Sequence, residues 1–251
     1  YMRKIYQPGR STVLSNNAMV ATSQPLSSQE AINILKIGGN AVDAAIAASA
    51  VLSVVEPGST GIGGDCFAII KMNNKKALSV NGSGITPKKI NLNYFKKNKI
   101  ETIGLLSPHS VTIPGAVDAW YEMHKKYGRL EFEKLFTTAI YYAREGFPLH
   151  EIEAFHWKKN EDKLKKNLVT KQIFLNNNKA PIFGKKFTNN QLADGFRIYQ
   201  VNGGQTYEID DITLVDGNFS SVPEPTSLLM FGATALIGLQ RRRKLRVPNS
   251  V

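Results

Sequence analysis

Hydrophobic and polar positions first fall into a clear period between residues 24 and 57. In PLSSQEAINILKIGG, the apolar Ile32, Leu35 and Ile37 follow Ser27 as an N-cap, with Glu30 three residues on and Gly38 as a stop. That order is a capping-box signature and predicts a helix. A second helix is predicted over residues 41–55, with Asn40 as its cap, Asp43 in its first turn and Pro57 beyond its end. Nearly every residue in it is small or apolar, and a helix apolar on all faces has to be buried. Residues 18–23 (AMVATS) read as a strand, and residues 66–72 and 76–80 as a strand pair between a glycine-rich turn at 58–64 and a loop at 81–87. After Pro114 come two amphipathic helices, 116–127 ended by Gly128 and 131–144 ended by Gly146, then short polar helices over 151–166 and 189–193. Past Asp194 the period changes to two, around Gly203-Gly204, which predicts a β-hairpin. An apolar segment at 228–239 closes on Arg241, Arg242, Arg243 and Lys244.

Composition sharpens this division. The 251 residues are 42% hydrophobic, enough for a buried core. Cys66 is the only cysteine, so no internal disulfide forms, and the four histidines show no metal-ligand spacing. No metal and no cofactor is expected. The net charge is +12, yet the lysines are spread in pairs (Lys88-Lys89, Lys96-Lys97, Lys158-Lys159) and are not interleaved with aromatics, so no nucleic-acid partner is expected. Residues 1–195 hold 22 lysines and 17 asparagines, whereas residues 196–251 hold one and three. The chain thus divides into 1–194, a hairpin and linker at 195–221, a segment at 222–244 and a tail at 245–251. Residues 2–17 are polar, with no apolar leader and so no signal peptide, which points to the cytoplasm.

Several motifs carry this further. GGNAVDAA, VVEP, TGIGGD, HSVTIPGAVDAW and YGRLEFEKLFTTAIYYAREGF occur in that order, and residues 2–193 resemble the large-subunit N-terminal part of the γ-glutamyltranspeptidase family of Ntn hydrolases. The resemblance implies an α+β fold, a portion of a four-layer αββα sandwich that is helix-rich in this part. It also implies amide hydrolysis or acyl transfer, as in glutathione metabolism, by a threonine freed at the start of a small subunit. A free α-amine with a pKa near about 8 can serve as base for its own hydroxyl. The family's cleavage motif lies beyond the point where the resemblance stops. The expectation is therefore a truncated chain, with no catalytic residue of its own, inactive alone or dependent on a complementing small subunit. Its buried helix at 41–55 would then lack part of its covering sheet, and aggregation or a partner-dependent state would follow.

One substrate-side position carries over. The family places an arginine for the substrate α-carboxylate in the loop after the second strand, and here that loop reads Asn81-Gly82-Ser83, with Ser83 at the arginine position. A hydroxyl cannot replace a bidentate guanidinium. The NGSG form is similar to the acylase-like and oxamate-amidohydrolase-like branch, which implies a small amide substrate without γ-glutamyl specificity.

Other candidates have plainer readings. Thr137 and Thr138 fall in the helix whose apolar positions are Phe132, Leu135, Phe136, Ile140 and Ala143, so they read as helix residues. The turn Gly61-Ile62-Gly63-Gly64 lacks the Lys-Ser/Thr of a phosphate loop and reads as a tight turn. Cys66 reads as a buried, unreactive thiol.

The tail carries a second resemblance. Pro223-Glu224-Pro225, the apolar run 228–239 and Arg241, Arg242 and Arg243 resemble the PEP-CTERM sorting signal of exported bacterial proteins. The run is shorter than the roughly 20 residues of a spanning helix, but it implies a membrane or envelope location. That conflicts with the leaderless N-terminus. The chain therefore reads as a chimera joined near Asp194, with an envelope-anchored binding or interaction protein as the alternative.

Overall fold

The computed structural model describes residues 12–104 and 107–193. The expected hairpin at 195–221, the apolar run 228–239 and the residues Pro223, Glu224, Pro225, Arg241, Arg242 and Arg243 lie outside the described residues.

Helix α1 spans Pro25–Lys36 and α2 spans Ala41–Val55. The α1 cap differs from the expectation. Gln24, not Ser27, caps the helix, its side chain accepting from the Leu26 amide, because Pro25 has no N–H to offer and its fixed φ suits the first turn. Ser27 instead faces inward and donates to the Ala48 carbonyl of α2 at 2.8 Å. Glu30 reaches no cap either. It is buried, bonded to Thr138 and, at 3.4 Å, to Asn33, and burial pushes its carboxyl above the usual range.

The α2 cap is as expected. Asn40 accepts from the Val42 and Asp43 amides, and Asp43 accepts from the Asn40 amide at 2.9 Å, completing a capping box. Eleven of the 15 residues of α2 are buried. Its covering differs from the expectation of an incomplete sheet. Helix α1, helix α4 (Ala116–Tyr127), a 3-10 turn at Phe132–Phe136 and helix α5 (Thr137–Glu145) all pack against it, so the chain closes this part of the core itself. The segment 131–144, expected as one helix, is therefore two elements. Phe132, Leu135, Phe136, Ile140 and Ala143 are still all buried, since both helical forms bring residues three to four apart to one side.

Strands β1 (Cys66–Ile70) and β2 (Leu78–Gly82) pair antiparallel, from Cys66 opposite Gly82 to Ile70 opposite Leu78. Asn81 and Gly82, expected in a loop, thus close the second strand. Cys66, Ala68 and Ile70 pack toward α4, while Phe67 and Ile69 on the opposite face are exposed. The run 18–23, expected as a strand, pairs with no strand among the described residues and leads directly into the α1 cap.

The polar pattern after β2 hides two short helices, α3 (Leu92–Lys97), before a 3-10 turn at Pro108–Ser110, and α8 (Leu168–Phe174). Between α5 and α8 lie β3 (Phe147–Pro148), α6 (Glu151–Lys159) and α7 (Glu161–Leu164). Strand β3 pairs with β4 (Lys186–Phe187). Residues 190–193 are helical as expected, with the Asn189 side chain accepting from the Leu192 amide at 3.1 Å. This is a helix-rich α+β arrangement around one continuous apolar cluster running from Ala31 to Ala193. Among the described residues no helix is long and apolar enough to cross a membrane.

Candidate active-site junction

Three segments that the sequence separates meet at one point: the turn ending at Asp65, the end of β2 with the loop after it at 81–85, and the approach to α4 at 112–116. The Gly64 carbonyl accepts from the amides of Gly115 and Ala116 at 3.1 and 3.0 Å. Asp65 Oδ1 accepts from the Gly84 amide at 3.0 Å and from the Thr112 hydroxyl at 3.3 Å. The Ile113 amide donates to the Ile85 carbonyl at 3.0 Å. Each bond spans two of the three segments, so each loop is held by another.

Backbones approach so closely here that side chains are excluded. A Cβ on Gly84 would lie 1.7 Å from the Ile113 carbonyl oxygen, one on Gly115 2.2 Å from the Gly82 carbonyl oxygen, and one on Gly82 2.4 Å from the Ala119 Cβ. Glycine is the residue that permits such an approach. Within this frame Asn81 and Ser83 are exposed, and the Asn81 side chain accepts from the Ser83 amide at 3.0 Å. The junction thus presents a rigid loop with the Ser83 hydroxyl as its changeable polar group and the exposed Asp65 carboxylate beside it.

The turn at 61–64 gives up its chemistry to structure. Its Gly64 carbonyl occupies the amides at 115 and 116, the α4 amides that an anion would otherwise approach. Cys66 begins β1 half-buried; burial pushes its thiol above the usual range, with the Trp120 indole opposing in part. Thr137 and Thr138 open α5, and both lie within the chain, so neither has a free α-amine beside its hydroxyl. His109 sits between the Ser107 hydroxyl at 3.0 Å and the Tyr94 hydroxyl at 3.2 Å, and His124 bonds the Leu130 carbonyl at 2.7 Å. Sequence reasoning marked the Asn81–Ser83 loop but missed Asp65 and Thr112, which hold it. The signal was present in the TGIGGD and HSVTIPGAVDAW runs, which were read as family motifs without a role for Asp65 or Thr112.

Solved structures of Ntn hydrolases resemble this arrangement of a helical layer on a strand pair. The Helicobacter pylori γ-glutamyltranspeptidase aligns with TM-score 0.70 and 28% identity over 77% of this chain and 56% of that one. The cephalosporin acylase of Bacillus halodurans aligns with TM-score 0.70 and 34% identity over 80% and 40%.

The sequence matches the family described as Gamma-glutamyltranspeptidase over residues 27–208, and the chain belongs to that family. The glutathione hydrolase-like YwrD proenzyme of Bacillus subtilis is 37% identical over 203 residues, 80% of this chain and 38% of that protein. Glutathione hydrolase proenzyme 2 of Schizosaccharomyces pombe is 38% identical over 55% and 22%. The chain thus spans less than half the length of these relatives. Residues 221–244 match the PEP-CTERM protein-sorting motif.

Proposed function

We propose that residues 1–194 supply the large-subunit portion of an amide-bond hydrolase, inactive alone and completed by a small subunit that brings the N-terminal threonine. The observation that carries this reading is the Asp65 junction. It is a loop fixed on both sides by hydrogen bonds, and Ser83, which the family resemblance assigns to the substrate side, carries no guanidinium. Its substrate is a small acyl amide with no α-carboxylate at that point, because the Ser83 hydroxyl cannot form the paired bonds that desolvate a carboxylate. The test mixes the full chain with the small subunit of an acylase-like relative and follows hydrolysis of a simple acyl amide and a γ-glutamyl anilide. Turnover of the simple amide on mixing is expected. Turnover by this chain alone overturns the subunit reading, and preference for the γ-glutamyl substrate overturns the assignment at Ser83.

The sorting-motif match favours a second reading for the same chain, an envelope-anchored protein in which the hydrolase-like part serves as a scaffold joined near Asp194. Fractionation of cells producing the chain with and without residues 228–239 tests it. Retention in the envelope only when those residues are present supports anchoring; an equal soluble pool for both overturns it. A single DNA read across the codons for residues 192–197 tests the joint, and a broken reading frame there removes it.

A further inference from the structure

We propose that the turn at 181–186, together with α6, is a docking surface for an anionic membrane. Four large apolar side chains are exposed in this part of the molecule: Ile152 (58%), Phe155 (64%), Ile182 (68%) and Phe183 (61%). They belong to two elements that the backbone ties together. The Gly184 amide donates to the Leu149 carbonyl at 2.9 Å, and the Leu149 amide donates to the Lys185 carbonyl at 2.9 Å. The turn tip is therefore anchored just before the first residue of α6, and one helical turn separates Ile152 from Phe155. Gly184 adopts φ +73°, which closes the turn and leaves Ile182 and Phe183 at its apex.

Apolar side chains left in water at a tip normally mark a contact. Here cations choose the partner. Lys185 and Lys186 follow Phe183 across Gly184, and exposed Lys159 ends α6, against the exposed carboxylates Glu151 at its start and Asp162 just beyond its end. Apolar residues at the apex with lysines behind them suit the boundary between acyl chains and anionic headgroups, where stems lie in the apolar layer and ammonium groups meet phosphate. The excess of lysine over acid fits a lipid surface better than a protein groove, which would need matched carboxylates. The inference rests on the envelope-anchored reading only for bringing a membrane within reach; the contact itself belongs to residues outside the sorting segment.

The experiment uses the full chain with Cys66→Ser and a single environment-sensitive label at Phe183→Cys, and in a parallel protein at Ile37→Cys, an exposed site at the end of α1. Each is mixed with vesicles of phosphatidylcholine with or without phosphatidylglycerol. The label at 183 is expected to shift to the blue with anionic vesicles only, to lose the shift in high salt, and to leave the label at 37 unmoved. Adding Lys185→Glu and Lys186→Glu should weaken the response by about 10- to 100-fold. No shift at 183, the same shift at 37, or a response indifferent to lipid charge overturns the proposal. An unchanged label at 183 while the chain still sediments with vesicles assigns binding to the sorting segment, leaving anchoring intact and this surface refuted. A blue-shifted label before any vesicle is added, together with a larger oligomer, assigns the patch to a protein contact instead.

Discussion

The carboxylate of Asp43 accepts the backbone amide of Arg129, 86 residues away, with 3.1 Å to each of its oxygens. The same fully buried carboxylate completes the α2 cap through the Asn40 amide, and the Asn40 side chain in turn donates to the Tyr127 carbonyl at 2.5 Å. The start of α2 and the end of α4 are therefore fastened by one polar knot. Asp43→Ala leaves these part-buried amides without their shared acceptor and is expected to cost about 2 to 3 kcal/mol, read as a lower urea midpoint at unchanged slope.

The junction at Gly84 has no tolerance for a methyl group. Gly84→Ala is expected to destabilise by more than about 3 kcal/mol or prevent folding, because the clash is with the Ile113 backbone and not with a movable side-chain end. Gly58→Ala, at a position with nothing within 4 Å of the added carbon, should stay within about 0.5 kcal/mol of the parent. Paired denaturation curves check the contrast.

Two buried carboxylates respond to pH in opposite senses. Burial, and then the Glu56 carboxylate, push Glu153 above its ordinary range, with His156 and His150 opposing. The folded state holds this proton longer than the unfolded state, so stability falls as pH rises from about 4.3 through the raised value, then levels. Glu153→Gln removes that fall, and its melting temperature should gain on the parent between pH 4 and 8.

Glu161 behaves in reverse. The Ala180 amide, Lys158 and Lys165 hold its carboxyl down to about 2. Its contribution is present above the unfolded value and is lost as pH falls from about 4.3 toward about 2. Glu161→Gln should flatten the acid limb of the melting profile below pH 5 and leave the neutral limb with the Glu153 slope.

Under the proposed function, Ser83 takes the place of a guanidinium that would read a carboxylate. In the reconstituted enzyme, Ser83→Arg is expected to lower KM for a γ-glutamyl anilide by about 10-fold or more, since a bidentate pair is among the stronger charge-assisted contacts. Steady-state kinetics on the two substrate types decides it, and an unchanged preference would move the carboxylate site elsewhere.

The Cys66 thiol, raised by burial beside Trp120, should react with a disulfide reagent at pH 8 far more slowly than a free cysteine. Full reactivity is expected only in denaturant.

The helices that carry the core were legible because their period and caps agree. Asn40, Asp43 and Pro57 bound α2 in sequence and in structure alike. The α1 cap was misread because Ser27 and Glu30 fit the capping-box spacing, yet both side chains are taken by neighbouring helices, Ser27 by the Ala48 carbonyl and Glu30 by Thr138. Local spacing records which bonds are possible; packing selects among them. Helices α3 and α8 were missed for the complementary reason. They are short, α3 buries no residue and α8 only Thr170 and Phe174, and Asn91 and Asn167 cap them through side-chain bonds that read equally well as turns. Of the site, the Asn81–Ser83 loop was visible through its strand. Asp65 was not, because its partners Gly84 and Thr112 lie 19 and 47 residues on and no local pattern links them.

The crowding of Gly82, Gly84 and Gly115 has a consequence for how such a protein changes over time. Two of the four residues from 81 to 84 are closed to any side chain, so inheritable variation in this loop is channelled into Asn81 and Ser83. A new preference can then arise by one substitution on an unaltered backbone, and substrate choice can drift while the architecture that displays it stays fixed.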